Sequence, residues 1–359
     1  WEGKVMGLQI LPFNKTLFGK DWKMTKWLCF VVAGILFFTM TLGVLNTYNN
    51  YQRTLKEVEE HPERFPDFDA EVHKVYIKDS LIRMFRRLTG MESFVIIFMP
   101  MAAAALLFGE EKRKKTFEVL STMPFTRWEI FFNKVIVALV NVISPFLINA
   151  VIMIAALGLS KGLRDFYSAG MVMYWLGADV FRLFVILSFS LLFASITGTS
   201  ISQLVLTVIF FIFPIGFAGL IDMNMSIWGY HTSVIDTFLN TFGTYTMPGL
   251  LDIIENIPIV FHLISAIVML IAAKLLFDRN KLERSGETLE FESIETFFKV
   301  GVTGCTSLLI GAIFTWLIGG IIFFSDDVPR IVTIVGYIAG IILGWYIASY
   351  SIKSNRAKA

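Results

Sequence analysis

Few side chains in this sequence have the types and spacing that a reactive centre requires. The strongest candidate is the segment EEHPER at Glu59–Arg64, because paired glutamates followed by an arginine can hold a metal or a water for hydrolysis within a membrane. That chemistry needs an enclosed site with histidine ligands, whereas this segment is interrupted by proline and lies between apolar runs. The two cysteines, Cys29 and Cys305, lie in separate runs, and the phosphate-binding pattern G-x-x-x-x-G-K-[ST] does not occur. The sequence therefore predicts no catalytic residue, no metal ligand and no cofactor bound by this chain.

A second set of polar side chains lies inside apolar runs, where charges are costly and often functional. Asp179 and Arg182 are three residues apart, so on a helix they share one face and can pair. This pair is interpreted either as structural or as part of a pathway or gate. Asn141 and Asn149 are eight residues apart, close to one helix face, and they either bond across helices or contact a transported molecule.

The composition indicates which elements must position these side chains. Hydrophobic residues make up 55% of the 359 residues, the mean hydropathy is +0.67, and charged residues make up 17%, against about 25% in soluble domains. A soluble core cannot absorb so much apolar surface, so lipid is the expected solvent. The formal net charge of +2 indicates no basic face for nucleic acid. We therefore predict an all-α integral membrane protein.

Apolar runs free of Asp, Glu, Lys and Arg predict about eight membrane-spanning helices, since one crossing takes about 20 residues. Residues 183–221 form one charge-free run that is too long for a single span. The stretch GTSIS at 198–202 predicts a turn that divides this run. The predicted spans are 27–48, 91–108, 135–159, 172–197, 200–221, 257–277, 301–324 and 331–351.

The distribution of Lys and Arg in the short connections predicts the orientation. Basic residues cluster before span one, between spans two and three, after span six and after span eight, and in an eight-span chain all four places lie on one side. Residues 222–255, on the other side, contain four acidic residues and no Lys or Arg. Both termini are therefore predicted to be cytoplasmic, with the protein in the plasma membrane, and membrane lipid is its expected surrounding.

Residues 49–90 form the largest predicted extracellular segment, in which eight basic residues are balanced by eight acidic ones. Residues 71–88 favour a helix, and we interpret the segment either as a cap on the spans or as a part that handles substrate. The apolar positions expected along one side of this helix are Val72, Val75, Ile82 and Phe85.

Two further connections are predicted to be structured. Residues 222–256 are too apolar for an ordinary loop, so we expect two short re-entrant helices that bury Trp228, Phe238 and Phe242, as an outer gate or as interfacial packing. Residues 278–299 are predicted to form a cytoplasmic linker helix. Its polar face carries glutamates, which favours contact with protein over contact with anionic lipid.

Residues 109–134, GEEKRKKTFEVLSTMPFTRWEIFFNK, carry the strongest functional pattern. They predict a short charged cytoplasmic helix that ends at Pro124, because proline lacks the amide donor that a helix needs. Thr126 and Glu129 form a T-x-x-E capping box at the start of the next helix. A rigid helix joined to two spans could transmit a push from a cytoplasmic partner. The alternative is an ordinary basic connection with a capped helix after it.

This segment resembles the signature of ABC-2 type permeases, approximately E-x-x-x-G-T-x-E-x-L-x-x-x-P-x-[ST]-R-x-E-I-x-x-G-K. The matching residues are Glu111, Thr116, Glu118, Leu120, Pro124, Thr126, Arg127, Glu129, Ile130 and Lys134. Lys115 and Asn133 stand where glycines are usual, which affects the backbone path more than the resemblance. Residues 282–309 are similar to permeases of the Gram-positive Ytr-like branch, which have a charged linker and additional C-terminal spans.

The resemblance implies a domain order. An N-terminal cytoplasmic interfacial helix at 1–26 would precede a six-span core at 27–277, and the linker at 278–299 would lead to two additional spans and a short tail at 300–359. It also implies a dimer of permeases, identical or siblings, driven by two ATPase subunits that bind ATP and Mg.

In such permeases the helix between spans two and three docks into a groove of the ATPase. The candidate coupling residues are therefore Glu111, Thr116, Phe117, Glu118, Leu120, Pro124, Arg127 and Glu129. The candidates for translocation or gating are Asn141, Asn149, Asp179, Arg182, Trp228 and Phe242.

The sequence thus predicts the non-hydrolysing permease subunit of an ATP-driven exporter. Its substrate is expected to be amphipathic or hydrophobic, such as a peptide, a lipid-linked molecule or a drug. The alternative is an ATPase-coupled sensor or scaffold that moves no solute. A membrane enzyme is disfavoured, because the sequence shows no convergent acid, base or metal-binding groups.

Overall fold

The computed structural model describes residues 13–113, 123–230, 233–280, 292–318 and 329–356. Within these ranges the chain is helical, with short 3-10 turns and no β-strand. A π-helical turn interrupts α1 at Phe37–Thr41 and α3 at Ala105–Gly109. The helices are α1 Lys15–Glu60, α2 Ala70–Arg86, α3 Gly90–Arg113, α4 Arg127–Leu159, α5 Ala169–Ile196, α6 Ser200–Ile227, α7 Val234–Phe242, α8 Ile259–Arg279, α9 Glu292–Ile318 and α10 Arg330–Arg356.

Eight helices among the described residues are long and apolar enough to cross a membrane: α1, α3, α4, α5, α6, α8, α9 and α10. This confirms the predicted all-α membrane protein with eight spans. The predicted turn also occurs, because α5 ends at Ile196 and α6 begins at Ser200. There the Thr199 hydroxyl accepts a hydrogen bond from the Ser202 amide, which caps α6.

Helix α5 forms the centre of the bundle. Its side chains are buried along most of its length, and it packs against α3, α4, α6 and α8. Helix α8, in contrast, exposes a face of large aliphatic side chains such as Val260 and Ile264. Such a face needs no protein partner when lipid surrounds it.

The connections lie at two ends of the bundle. The "49–90 end" contains residues 61–69, 160–168, 228–230 and 233–258, and the "109–134 end" contains residues 109–113, 123–134 and 197–199 and the C-terminal end of α8. Consecutive spans are antiparallel, so the segments at each end are brought together from distant parts of the sequence.

Two segments expected as separate helices are continuous with spans. Residues 15–26 begin α1, because the Asn14 side chain accepts hydrogen bonds from the amides of Thr16 and Leu17 and no proline follows before residue 60. Residues 292–299 likewise begin α9. The remainder of the predicted interfacial helix before residue 13, and residues 281–291 of the predicted linker, lie outside the described residues.

Within the 49–90 segment, the predicted helix 71–88 is observed as α2, and Asp69 caps its first turn. The predicted apolar side is only partly correct. Val72 and Val75 are 66% and 58% exposed, whereas Leu81 and Phe85 are buried. In the second half of α2, Phe85 contacts Tyr167 with 5.6 Å between the ring centroids, and in the first half His73 stacks on Tyr51 of α1 at 5.7 Å.

The 222–256 segment differs from the two re-entrant helices expected. One helix, α7, is followed by three 3-10 turns at Gly243–Tyr245, Pro248–Leu251 and Ile254–Asn256. Leu250 and Ile254 are the apolar side chains buried here. Phe242 is 55% exposed and Trp228 and Phe238 are half-buried within the protein, so their expected burial in the outer leaflet stays a prediction.

The C-terminal helices α9 and α10 form a tightly packed pair. Gly336, Gly340 and Gly344 recur every fourth residue of α10, the spacing that lets two membrane helices approach closely. A Cβ atom at Gly340 would lie 2.6 Å from the Ser307 Cα and 2.8 Å from the Thr306 carbonyl oxygen. The backbones therefore touch at this point, and only glycine fits.

Candidate functional site

The candidate coupling region has two described flanks. Residues 105–113 lead into it from α3, and residues 123–134 lead out of it into α4. Thr116, Phe117, Glu118 and Leu120 lie outside the described residues. The described part of the candidate site therefore consists of the two flanks, each of which is bound to other helices.

A buried ionic cluster joins the two flanks to the start of α1. Lys134 Nζ lies 2.7 Å from Glu111 Oε2 and 3.7 Å from Asp21 Oδ2, and it donates to the Leu107 carbonyl oxygen at 2.6 Å. Lys20 Nζ pairs with Glu111 Oε1 and lies 3.7 Å from Asp21 Oδ1. The cluster thus holds two ammonium groups and two carboxylates from three helices.

The cluster is neutral as a whole, which explains how it can be buried. The side chains of Lys134, Glu111 and Asp21 are only 1–4% exposed, and Lys20 is 45% exposed. Charges removed from water need close partners, and each of these has at least one opposite charge beside it. The carboxylate of Glu111, a candidate coupling residue, is enclosed within the permease and pairs with Lys20 and Lys134, while its role in coupling stays a prediction.

Two other basic side chains in the flanks bind the ends of neighbouring helices. Lys112 is buried, and its Nζ donates to the carbonyl oxygens of Ala194 and Thr197 at 3.0 and 2.9 Å, at the C-terminal end of α5. The last carbonyl groups of a helix lack internal donors and carry partial negative charge. Lys112 therefore caps α5 and ties α3 to it.

Arg127 makes the equivalent contact with α8. Its Nη1 donates to the carbonyl oxygens of Phe277, Asp278 and Asn280 at 3.3, 2.6 and 3.1 Å. This predicted coupling residue thus holds the C-terminal end of α8 against the start of α4.

The predicted capping box at the start of α4 is present. The Glu129 amide donates to Thr126 Oγ1 at 3.1 Å, and the Thr126 amide donates to Glu129 Oε2 at 2.8 Å. Pro124 and Met123 are exposed immediately before it, and Trp128 is 47% exposed. The described part of the coupling region therefore offers an apolar surface beside a rigidly capped helix.

We expect Thr126→Ala to lower the free energy of unfolding by about 1 kcal/mol, because the Glu129 amide loses its acceptor. Thermal unfolding of the purified protein in detergent measures this change. Thr54→Ala is the matched control, since the exposed Thr54 hydroxyl bonds only to a carbonyl of its own helix. Equal effects of the two substitutions would contradict the capping role.

Asn141 and Asn149 connect α4 to α1. Asn141 Nδ2 donates to Thr25 Oγ1 at 2.8 Å, and Asn149 Nδ2 donates to the Ala33 carbonyl oxygen at 3.1 Å. Thr41 Oγ1 donates to Asn149 Oδ1 at 2.7 Å. Both side chains are fully buried. These bonds agree with the interpretation of bonding across helices, while contact with a transported molecule stays a prediction.

Asp179 and Arg182 are in contact at the 49–90 end of the bundle. Arg182 Nη1 donates to Asp179 Oδ1 at 2.7 Å, and the other guanidinium nitrogens donate to the carbonyl oxygens of Leu250 and Asp252 at 2.8 and 2.9 Å. Arg182 therefore fixes the 3-10 turn at Pro248–Leu251 onto α5. A gating role of this pair stays a prediction.

Trp228, another gate candidate, lies in a network that joins α6 to the C-terminal pair. Its Nε1 donates to Tyr337 Oη at 3.0 Å, and Tyr337 Oη donates to Asn224 Oδ1 at 2.7 Å. Asn224 Nδ2 donates to the Leu308 carbonyl oxygen at 3.2 Å. Phe242 lies apart from this network and contacts Phe238, with 5.9 Å between the ring centroids.

Sequence reasoning missed Lys20, Asp21 and Lys112 as site residues. Their signal was weak: each is a charged residue beside a span, which is also the normal pattern of a membrane-protein connection. Among the described residues, no group of three or more His, Cys, Asp or Glu side chains could hold a metal ion.

A comparison with protein families identifies the family of this chain. The family model described as "ABC-2 family transporter protein" matches residues 16–282 of the 359, which include α1 to α8 and both flanks of the coupling region. No curated protein and no solved structure matches the chain. The match does not distinguish branches of the family, so the Gram-positive Ytr-like branch stays a prediction. The chain belongs to the ABC-2 transporter family and is a multi-pass membrane permease component of an ABC transporter.

Proposed function

We propose that this permease is the export subunit of a complex in which a separate ATPase pushes on residues 114–122. The observation that supports this is the attachment of both flanks to other spans. Lys112 binds the end of α5, Arg127 binds the end of α8, and the Glu111–Lys134 cluster includes α1. A displacement of the segment would therefore move five spans together.

This arrangement favours transmission of motion from the ATPase to this chain. In the proposed complex, two ATPase subunits bind ATP and Mg and hydrolyse the nucleotide, and this chain receives the resulting motion. The 109–134 end is cytoplasmic, as are both termini, and the protein lies in the plasma membrane of a Gram-positive bacterium. A second permease, identical or a sibling, completes the translocation path.

The proposed substrate is amphipathic or hydrophobic. The four polar gate candidates inside spans three and four already bond within the protein, since Asn141 and Asn149 bind α1 and Asp179 and Arg182 bind each other. A hydrophilic solute would need polar groups that can exchange partners. An apolar peptide, lipid-linked molecule or drug needs fewer of them.

A second candidate function is that of an ATPase-coupled sensor or scaffold. The observation in its favour is the exposed apolar surface of α2 at the 49–90 end, where Val72, Val75 and Tyr76 are each more than half exposed. Exposed apolar patches commonly bind ligands or partners. Reconstituted vesicles distinguish the two functions, because only an exporter accumulates a fluorescent amphipathic probe in an ATP-dependent manner.

We expect the double substitution Phe117→Asp and Leu120→Asp to abolish ATPase docking. Two apolar anchors typically contribute about 2 kcal/mol or more each to an interface, so their joint loss of about 4 kcal/mol should lower the affinity roughly a thousandfold. Co-purification of the ATPase with tagged permease measures the loss. Thermal unfolding of the permease alone should stay unchanged, since residues 117 and 120 belong to none of the spans predicted from the sequence.

The matched control replaces Val72 and Val75 with Asp at the opposite end of the bundle, where both side chains are exposed. This control should retain the ATPase. If the Phe117 and Leu120 variant binds its ATPase as well as the control does, the coupling assignment is wrong.

A further inference from the structure

A groove between α4 and α8 opens on the outside of the bundle at the 109–134 end. It encloses a volume of about 280 Å³, and its walls are apolar apart from one lysine. Within each helix the lining positions are three or four residues apart, so they share one face of that helix. The lining side chains include Trp128, Phe132 and Val135 of α4, and Ile271, Lys274 and Leu275 of α8.

The groove lies at the level where the hydrocarbon of the bilayer meets its headgroups. Val135 is the first residue of predicted span three, and Ile271 lies within predicted span six. Trp128 lies about 10 Å before Val135 along α4 and is 47% exposed. Tryptophan is enriched at membrane–water interfaces, because its ring is apolar and its N–H group is polar. The groove therefore reaches from the level of the lipid chains to the level of the headgroups.

Lys274 stands between these two levels. Its Nζ lies 5.1 Å from the centroid of the Trp128 ring, and it pairs with Asp278 one turn further along α8. Only 18% of the Lys274 side chain is exposed, so its hydrocarbon stem forms part of the groove wall while its ammonium points to the headgroup side. An ammonium has three donors, and the pair with Asp278 leaves donors for a further oxygen ligand.

The charge around this end of the groove is positive. Arg127 binds the carbonyl oxygens at the end of α8, and Arg279 lies on the last turn of α8, close after the groove. Together with Lys274 they make three basic side chains, against the two carboxylates of Asp278 and Glu129. The Glu129 carboxylate is already engaged by the Thr126 amide in the capping box. An anionic headgroup therefore complements this place better than a neutral one does.

We infer that this groove binds one anionic phospholipid from the leaflet at the 109–134 end, with an acyl chain along the apolar walls and the headgroup phosphate at Lys274. A phosphatidylcholine fits the walls equally well, but it brings its own cation to a place that already has an excess of them. The bound lipid braces α4 against α8 next to the point where Arg127 ties these two helices together.

Native mass spectrometry of the purified full-length permease tests this inference. The protein is titrated with phosphatidylglycerol and, separately, with phosphatidylcholine that has the same acyl chains. We expect the first phosphatidylglycerol to bind at least about fivefold more tightly, because one basic side chain near a membrane surface contributes about this factor for an anionic lipid. Equal affinities of the two lipids would overturn the inference.

Two variants test the headgroup and the chain separately. Lys274→Gln should lower the affinity for phosphatidylglycerol about fivefold and leave that for phosphatidylcholine unchanged. Its control is Lys299→Gln, since Lys299 is also half-buried and lies just before predicted span seven. Val135→Trp fills the groove and should weaken the binding of both lipids, whereas Val140→Trp, on an exposed part of α4, should not. If one variant does not fold, the other variant and its control still decide the matter.

Fluorescence gives a second measurement, in lipid nanodiscs that contain brominated lipid. The emission of Trp128 is obtained as the difference between the wild type and Trp128→Phe. Brominated phosphatidylglycerol should quench this emission at a lower mole fraction than brominated phosphatidylcholine does. Equal quenching by the two lipids would overturn the inference. So would a change in the number of permease copies caused by Val135→Trp with lipid binding intact, because a second copy would then cover the groove.

Discussion

Lys134→Met is expected to lower the free energy of unfolding by about 3–5 kcal/mol, the usual cost of removing one partner from a buried ionic cluster. Its ammonium group lies between Glu111 and Asp21 and also binds the Leu107 carbonyl oxygen. Without it, two carboxylates remain beside the single, partly exposed Lys20. Thermal unfolding of the purified permease in detergent measures the loss.

Two further variants show whether charge balance is the cause. Lys23→Met is the matched control, because Lys23 lies on α1 near the cluster but is exposed. It should change stability little. The double variant Lys134→Met and Asp21→Asn leaves Lys20 paired with Glu111, so it should recover part of the loss. Additive losses in the double variant would contradict a coupled cluster.

Gly340→Val is expected to separate α9 from α10. The new Cβ would lie 2.6 Å from the Ser307 Cα, a backbone atom that cannot move without moving the helix. Overpacking of this kind typically costs about 1–3 kcal/mol, and more where backbone blocks relaxation. We expect a lower unfolding temperature, together with a longer distance between spin labels placed on the two helices.

Gly304→Val in the same pair of helices is the control, because a Cβ at Gly304 meets no atom within 4 Å. It introduces the same β-branched residue into a helix and therefore has the same intrinsic cost. If the two valine variants have equal stability and equal label distances, the close contact at Gly340 does not hold the pair together.

The features that were predicted correctly depend on local sequence. The length of each apolar run predicts whether it spans the membrane, because the bilayer sets the number of residues that a crossing helix needs. The capping box at Thr126 and Glu129 depends on two residues that are three positions apart. The turn between α5 and α6 depends on the five-residue stretch at 198–202. Asp179 and Arg182 were likewise expected to pair, because they lie on one turn of one helix.

The features that were missed depend on packing between distant segments. Glu111 and Lys134 appeared in the signature, but their burial against Lys20 and Asp21 follows only from how α1, α3 and α4 meet. The apolar side predicted for α2 is buried only in part, for a related reason. Helical periodicity shows which residues share a face, but it does not show how much of the helix reaches the bundle.

Helix α1 is 46 residues long, so at 1.5 Å per residue it extends about 69 Å, more than twice the roughly 30 Å hydrocarbon thickness of a bilayer. One end carries Lys20 and Asp21, and the other end, at Glu60, extends about 18 Å past the predicted span 27–48. The helix can therefore act as a lever: a tilt of about 5° around its base would displace the far tip by about 6 Å. If the proposed ATPase tilts the base of α1, small movements there would become ångström-scale displacements of the tip beyond the opposite leaflet.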